Sequence, residues 1–226
     1  MTNLDVNAHW YNVFYSALTT FTNHTLRRVA GGDNGTHGGG ASPRLMWELD
    51  NLLEDAISNC DVFVDAGSGI GTSSAYHAQQ YPSLRVVGIE LAEDRTETAR
   101  ELYENAGMGG RVQFVNGSFV DEGIWREHVL RNENERVCVW MNAENFVKVD
   151  RLMLTFEQLA ERLMVQPGSL IISTEKLFQG KTRRSVQDGC LFVETRVAIT
   201  LQEWDLSWKP PGGCLDIFVY TRVGGG

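Results

Sequence analysis

The stretch "DVFVDAGSGIG", residues 61–71, decides the fold. Its first half, Val62 to Asp65, is a short run rich in β-branched residues that ends in an acid, and it reads as a buried strand. Its second half sets Gly67, Gly69 and Gly71 at alternate positions. A chain leaving a strand must turn sharply there to enter a helix, and glycine admits the positive φ that such a turn demands. Strand, glycine turn and helix form the first unit of an α/β sheet, and ligands of such sheets bind outside the carboxyl ends of the strands. A dinucleotide turn follows G-x-G-x-x-G, whereas here the order is G-x-G-x-G with Thr72 next. A second acid, Glu90, closes the following apolar run, where a carboxylate can accept hydrogen bonds from both hydroxyls of a ribose.

Working outward, the pattern alternates between the two periods. Helices are expected at Pro43 to Ser58, Gly71 to Gln80, Glu93 to Ala106, Asp121 to Arg131 and Lys148 to Val165. Strands are expected at Val62 to Asp65, Leu84 to Glu90, Val112 to Asn116, Arg136 to Met141 and Ser169 to Thr174. Two longer β-like runs, Cys190 to Leu201 and Cys214 to Arg222, finish the chain. This order predicts an α/β fold whose sheet is mostly parallel and ends in an antiparallel hairpin. Before it, Trp10, Phe14, Leu18 and Phe21 mark one apolar face of an N-terminal helix. The stretch "GGDNGTHGGGAS", Gly31 to Ser42, has nothing larger than alanine to bury and reads either as a linker or as a lid over a ligand. The expected division is therefore residues 1–42 as helix and glycine loop, and 43–226 as the main domain.

Composition bounds the possibilities. A chain of 226 residues, 42% hydrophobic and 22% charged, is long enough for one sizeable core. Its longest apolar runs fall far short of the ~20 residues that a membrane helix needs, and no membrane association is expected. The N-terminus lacks the basic-then-apolar order of an export signal. Cys60, Cys138, Cys190 and Cys214 are widely spaced, and the five histidines show no ligand spacing, so reduced thiols and no metal are expected. The net charge of −9 opposes non-specific nucleic-acid binding unless basic residues are gathered locally.

The glycine pattern, with Asp65 before it and Glu90 on the next strand end, resembles the class I S-adenosylmethionine-dependent methyltransferases. That cofactor has an amino-acid tail and a sulfonium in place of a pyrophosphate, and the alternative for the turn is a generic connection whose glycines only relieve φ. Later segments narrow the resemblance. "VCVWMNAENFVKVD", residues 137–150, resembles a segment of the non-SET histone lysine methyltransferases of the disruptor-of-telomeric-silencing (Dot1-like) family, where Val-Asn-Asn-Phe-x-Phe precedes Val-Asp. "VFVDAGSGIG" resembles that family's Phe-Val-Asp-Leu-Gly-Ser-Gly-Val-Gly, and "VGIE" its Tyr-Gly-Val-Glu. "GSFVDEGIWREHVL", "PGSLIISTEKLF" and "LSWKPPGGCLDIFVYT" line up in order with further family elements, so the resemblance runs from about Ala41 to Val223.

The resemblance implies S-adenosyl-L-methionine as cofactor, held by Asp65, Gly67, Ser68, Gly69, Gly71, Glu90, Ser118, Phe119 and Asn142. Asp65 would orient the loop and favour the ammonium of the tail. Phe119 matches the phenylalanine that stacks near the adenine, and Asn142 matches the polar group beside the reacting methyl. Phe218, or alternatively Tyr220, would wall the channel for the acceptor, supported by Trp208. Each has a structural alternative: Asn142 as a loop cap, Phe119 and Phe218 as core. Ser118 stands where the family has an aspartate, Met141 where it has the first asparagine, and Ala143 where it has an aromatic. The family's Gly-Glu-Thr covering element has no clear counterpart; Gly40, Ala41 and Ser42 occupy its place.

The implied activity is methyl transfer to a lysine on the core of histone H3 in nucleosomes, by a nuclear enzyme. Lys176, Lys181, Arg183 and Arg184 follow the fifth strand and would contact DNA or the histone surface, or else form a solvated hairpin. Leu177 and Phe178 beside them would suit a protein surface. Two other classes stay open: a methyltransferase for another protein or a small metabolite, and a non-catalytic cofactor-binding protein.

Overall fold

The computed structural model describes residues 43–143, 150–178, 191–201 and 212–224. The expected N-terminal helix, the glycine loop, Trp208, Lys181, Arg183 and Arg184 lie outside the described residues. In chain order the elements are α1 (Pro43–Ser58), β1 (Val62–Ala66), α2 (Thr72–Gln80), β2 (Arg85–Glu90), α3 (Glu93–Asn105) and β3 (Val112–Asn116). There follow α4 (Glu122–Ile124) with a π-helical turn (Trp125–Val129), β4 (Val137–Met141), α5 (Asp150–Leu163), β5 (Leu170–Ser173), β6 (Phe192–Thr200) and β7 (Cys214–Arg222).

The strands form one seven-stranded sheet in the order β3-β2-β1-β4-β5-β7-β6. Strands β1 to β5 run parallel to one another, while β7 runs antiparallel to both β5 and β6. The mostly parallel sheet with an antiparallel hairpin is thus as the alternating pattern predicts. Its cause lies in the period-2 alternation of strands that are buried on both faces. Phe63, Val86, Phe114, Cys138, Trp140 and Ile172 face α1, α2 and α3, where Leu45, Leu49, Tyr76, Ala99, Leu102 and Tyr103 complete one core layer. Val64, Val87, Ile89, Val139, Met141 and Ile171 face the other way, onto Trp125, Phe156, Leu159 and Ala160.

The regular helix expected over Asp121 to Arg131 is replaced by a single α-turn and a widened turn. The indole Nε1 of fully buried Trp125 donates to Phe119 O at 2.7 Å, which draws the helix start against β3's exit. Leu130 N then reaches back to Trp125 O at 2.8 Å, a five-residue step. Arg85 from β2 takes the carbonyls this leaves over, donating to His128 O at 3.0 Å and Val129 O at 2.5 Å, and it also pairs with Glu135. A tertiary guanidinium therefore ends the helix early.

The sheet reverses direction of winding between β2-β1 and β4, so the carboxyl ends of β1 and β4 border the crevice typical of open α/β sheets. Ala66 and Met141 are register partners, which sets the glycine loop directly beside Asn142.

Candidate functional site

The loop after β1 is shaped by three left-handed glycines, Gly67 at φ 78°, Gly69 at φ 56° and Gly71 at φ 90°. They do different jobs. A Cβ on Gly71 would lie 2.5 Å from the Phe114 ring, so glycine there lets α2 start hard against β3. A Cβ on Gly69 would meet nothing within 4 Å, so the backbone at that point borders open space. The loop hangs from β2: Gly67 N and Ser68 N both donate to Ile89 O, at 2.9 and 3.0 Å. Gly88 within β2 makes room for it, because a Cβ there would come within 2.7 Å of Phe114 and 3.0 Å of Ser68 Oγ.

Asp65 is 3% exposed, and its Oδ2 accepts from Ser74 N at 3.1 Å and Ser74 Oγ at 2.8 Å. It therefore ties β1 to the first turn of α2. Burial pushes its carboxyl up to about 6, partly offset by the Ser74 hydroxyl and by His77. Glu90 ends β2 with both oxygens engaged: Oε2 accepts from Gly69 N and Oε1 from Ala92 N, each at 2.9 Å. Arg95 on α3 stands 4.0 Å from Oε1. Each carboxylate oxygen carries further lone-pair capacity, so the acid can hold the loop and still accept a hydroxyl. Leu91, next along, is 71% exposed and offers an apolar surface at the same strand end. Ser68 Oγ is buried and has no hydrogen-bond partner among the described residues.

On the other side of β1, Asn142 leaves β4. Its Oδ1 accepts from Thr174 Oγ1 at 3.1 Å, and Thr174 Oγ1 in turn accepts from Ala143 N at 3.0 Å. Phe218 on β7 is half-buried and opposite Ser173, so it lies along the same sheet edge, beyond Thr174. The crevice thus brings together Asp65, Gly67, Ser68, Gly69, Gly71, Glu90 and Asn142. Ser118 is half-buried in the turn after β3, where its carbonyl accepts from Asp121 N at 2.9 Å.

Three expectations change. Phe119 is 6% exposed and its ring meets Phe156 edge-on at 5.7 Å, which makes its contacts in the structure those of the core. Tyr220 is fully buried and its hydroxyl accepts from Leu177 N at 2.7 Å, so it clamps the chain after β5 and walls no channel. Leu177 and Phe178 present no protein-binding surface, since both are 1% exposed. Phe178 takes φ 53°, donates its N–H to Glu157 Oε1 and stacks on Phe192 at 5.1 Å. Lys176 lies 3.6 Å from Glu194, so part of its charge is spent on β6.

Sequence reasoning missed Leu91, Ser74 and Thr174. Only Thr174 had a signal of its own, a polar side chain directly after an apolar strand.

Glycine cradle, strand-end acid and sheet order together are those of the class I, S-adenosylmethionine-dependent methyltransferase fold. The family described as "Histone methylation protein DOT1" matches residues 24–215, and the chain belongs to that family. Among curated relatives it is 33% identical over 76 residues to erythromycin 3''-O-methyltransferase of Saccharopolyspora erythraea, covering 33% of this chain and 25% of that protein. It is 24% identical over 132 residues to a probable O-methyltransferase of Mycobacterium tuberculosis, 56% of this chain and 54% of the relative. The chain therefore spans about half or less of the length of the curated relatives it matches. Solved structures share the fold. An O-methyltransferase of Bacillus cereus in complex with SAH superposes with TM-score 0.58 at 16% identity, over 96% of this chain and 97% of the other. A methyltransferase of Geobacter sulfurreducens does so with TM-score 0.54 at 20% identity, over 94% and 89%.

The site fits its cofactor. The buried Ser68 hydroxyl with no partner among the described residues, the open backbone at Gly69 and the Glu90 carboxylate suit a ligand that offers ribose hydroxyls and an amino-acid tail. When bound, S-adenosylmethionine supplies a methyl group activated on a sulfonium.

Proposed function

We propose that this protein transfers a methyl group to a lysine of a protein, histone H3 in nucleosomes, with Gly67 to Gly71 and Glu90 holding the cofactor. The observation that carries the reading is the family match across residues 24–215, whose segment around Asn142 falls beside the glycine loop. Displacement at a sulfonium methyl requires an in-line approach, so the protein's main task is alignment. Asn142 has no titrating proton at neutral pH. It can orient an acceptor but cannot deprotonate one, which suits an amine that sheds its proton on leaving water. Phe218 would line the acceptor's approach. Lys176, Lys181, Arg183 and Arg184 would face DNA phosphate or the histone surface, with Lys176 contributing least because of Glu194. Such an acceptor puts the protein in the nucleus.

A second reading, O-methylation of a small molecule, is favoured by the curated relatives, both named O-methyltransferases. It shares Asp65, Gly67 and Glu90 but has no use for the basic stretch. The test is transfer of labelled methyl to reconstituted nucleosomes, free octamer and a metabolite extract in parallel, with Asn142→Ala as control. Label on nucleosomal H3 that disappears in Asn142→Ala, and falls with Arg183 and Arg184 neutralised while SAH binding persists, is the expected result. Label confined to the extract would refute the histone assignment and leave the methyltransferase standing.

A further inference from the structure

We propose that Thr174 is a positioning residue for the transfer, acting by fixing the side-chain amide of Asn142; this rests on the reading of Asn142 given above. Three contacts join the exits of β4 and β5. Thr174 N donates to Met141 O at 3.3 Å, Thr174 Oγ1 accepts from Ala143 N at 3.0 Å, and the same hydroxyl donates to Asn142 Oδ1 at 3.1 Å. The hydroxyl's single hydrogen goes to the amide oxygen, while one of its lone pairs takes the Ala143 N–H. The Oδ1 edge is held against Thr174, and the Nδ2 edge is turned the other way.

The arrangement is rigid as well as directed. Thr174 is 5% exposed, Ala143 and Met141 are fully buried, and the β-branched side chain has little χ1 freedom. Ser173, immediately before it, is fully buried and its Oγ accepts from Glu175 N at 3.2 Å, which pins the turn that follows. An amide that rotated by half a turn would exchange donor for acceptor at the acceptor substrate. Thr174 prevents this at the cost of one threonine hydroxyl, buried and shared by two strand ends.

The variants are Thr174→Val, which keeps the shape and removes the hydroxyl, and Thr174→Ser, which keeps the hydroxyl. The first readout needs no acceptor: the side-chain NH2 resonances of Asn142 in a 15N-labelled protein, assigned by their loss in Asn142→Ala and followed with and without SAH. We expect Thr174→Val to shift and broaden this pair, and Thr174→Ser to restore it. The second readout is transfer to whichever acceptor the wild type labels, with nucleosomes tried first. There Thr174→Val should lower kcat by about tenfold with SAH affinity within about twofold, as expected for one lost hydrogen bond. In the Asn142→Ala background the same substitution should cost under about twofold in kcat, since the two act as a unit. Should Thr174→Val fail to fold, Thr174→Cys replaces it, with its weak S–H donor expected to give a partial loss. An unmoved Asn142 pair, or a kcat loss of equal size in the Asn142→Ala background, overturns the proposal. Absence of nucleosome labelling by the wild type sinks the histone reading alone, since the resonance test still decides the role of Thr174.

Discussion

Replacing Asp65 by Asn should change how stability depends on pH, in a direction opposite to that of most carboxylates. Asp65 is 3% exposed and its carboxyl is raised from 3.8 to about 6, chiefly by burial. Below pH 3.8 the group is protonated in both folded and unfolded chains and contributes no slope. Between 3.8 and about 6 the unfolded chain releases the proton while the folded chain keeps it, so rising pH favours unfolding. Above about 6 both are ionised and the loss is complete. The gap of roughly two units corresponds to about 3 kcal/mol in total, of which about 2 kcal/mol falls between pH 4.5 and 7.5. Asparagine keeps an amide oxygen for the two Ser74 donors and has no charge to desolvate. Urea unfolding of both proteins at several pH values between 4.5 and 7.5 isolates the group by difference. The stability of wild type relative to Asp65→Asn should fall by about 2 kcal/mol over that range. A flat difference would mean that Asp65 ionises at an ordinary pKa. A rising one would mean that Ser74 and His77 outweigh burial.

Two glycines of one loop should respond differently to alanine. Gly71→Ala meets both a positive φ and the Phe114 ring at 2.5 Å, so thermal melts should show a loss of about 2–5 kcal/mol; Gly69→Ala, with open space around its Cβ, should lose about 1–2 kcal/mol, and equal losses would refute the packing account. Glu90→Gln must point its NH2 at Gly69 N or Ala92 N, so calorimetry should show SAH binding weakened by about tenfold or more and melts a loss of about 1–3 kcal/mol. Affinity within twofold of wild type would remove Glu90 from the ribose site.

Much of this architecture was legible in the chain. The strands show because a sheet buried on both faces needs short, β-branched, continuous apolar runs, and five of them alternate with helical patterns. Gly67, Gly69 and Gly71 show because left-handed backbone leaves few other choices, and Glu90 because an acid that ends an apolar run must have a partner. What escaped was decided by contacts between distant segments. The early end of the helix after β3 depends on Arg85, 43 and 44 residues before the carbonyls it holds.

The same cause separates the site residues that sequence placed from those it did not. "EKLFQG" looks like an exposed segment, yet Leu177 and Phe178 are buried because Tyr220 and Glu157 grip their backbone from β7 and α5. Phe119 and Phe218 are alike as letters, but one meets Phe156 in the core and the other lies half-buried on the sheet edge. Asn142 could be read from its segment, whereas its partner Thr174 lies 32 residues on and only the pairing of β4 with β5 brings them together. The sequence by itself determined the elements, the glycine turn and the strand-end acid, because each depends on local periodicity or on a single residue's allowed φ. Tertiary structure alone decided which polar and aromatic side chains face the crevice, because that follows from strand order and register, which no local stretch encodes.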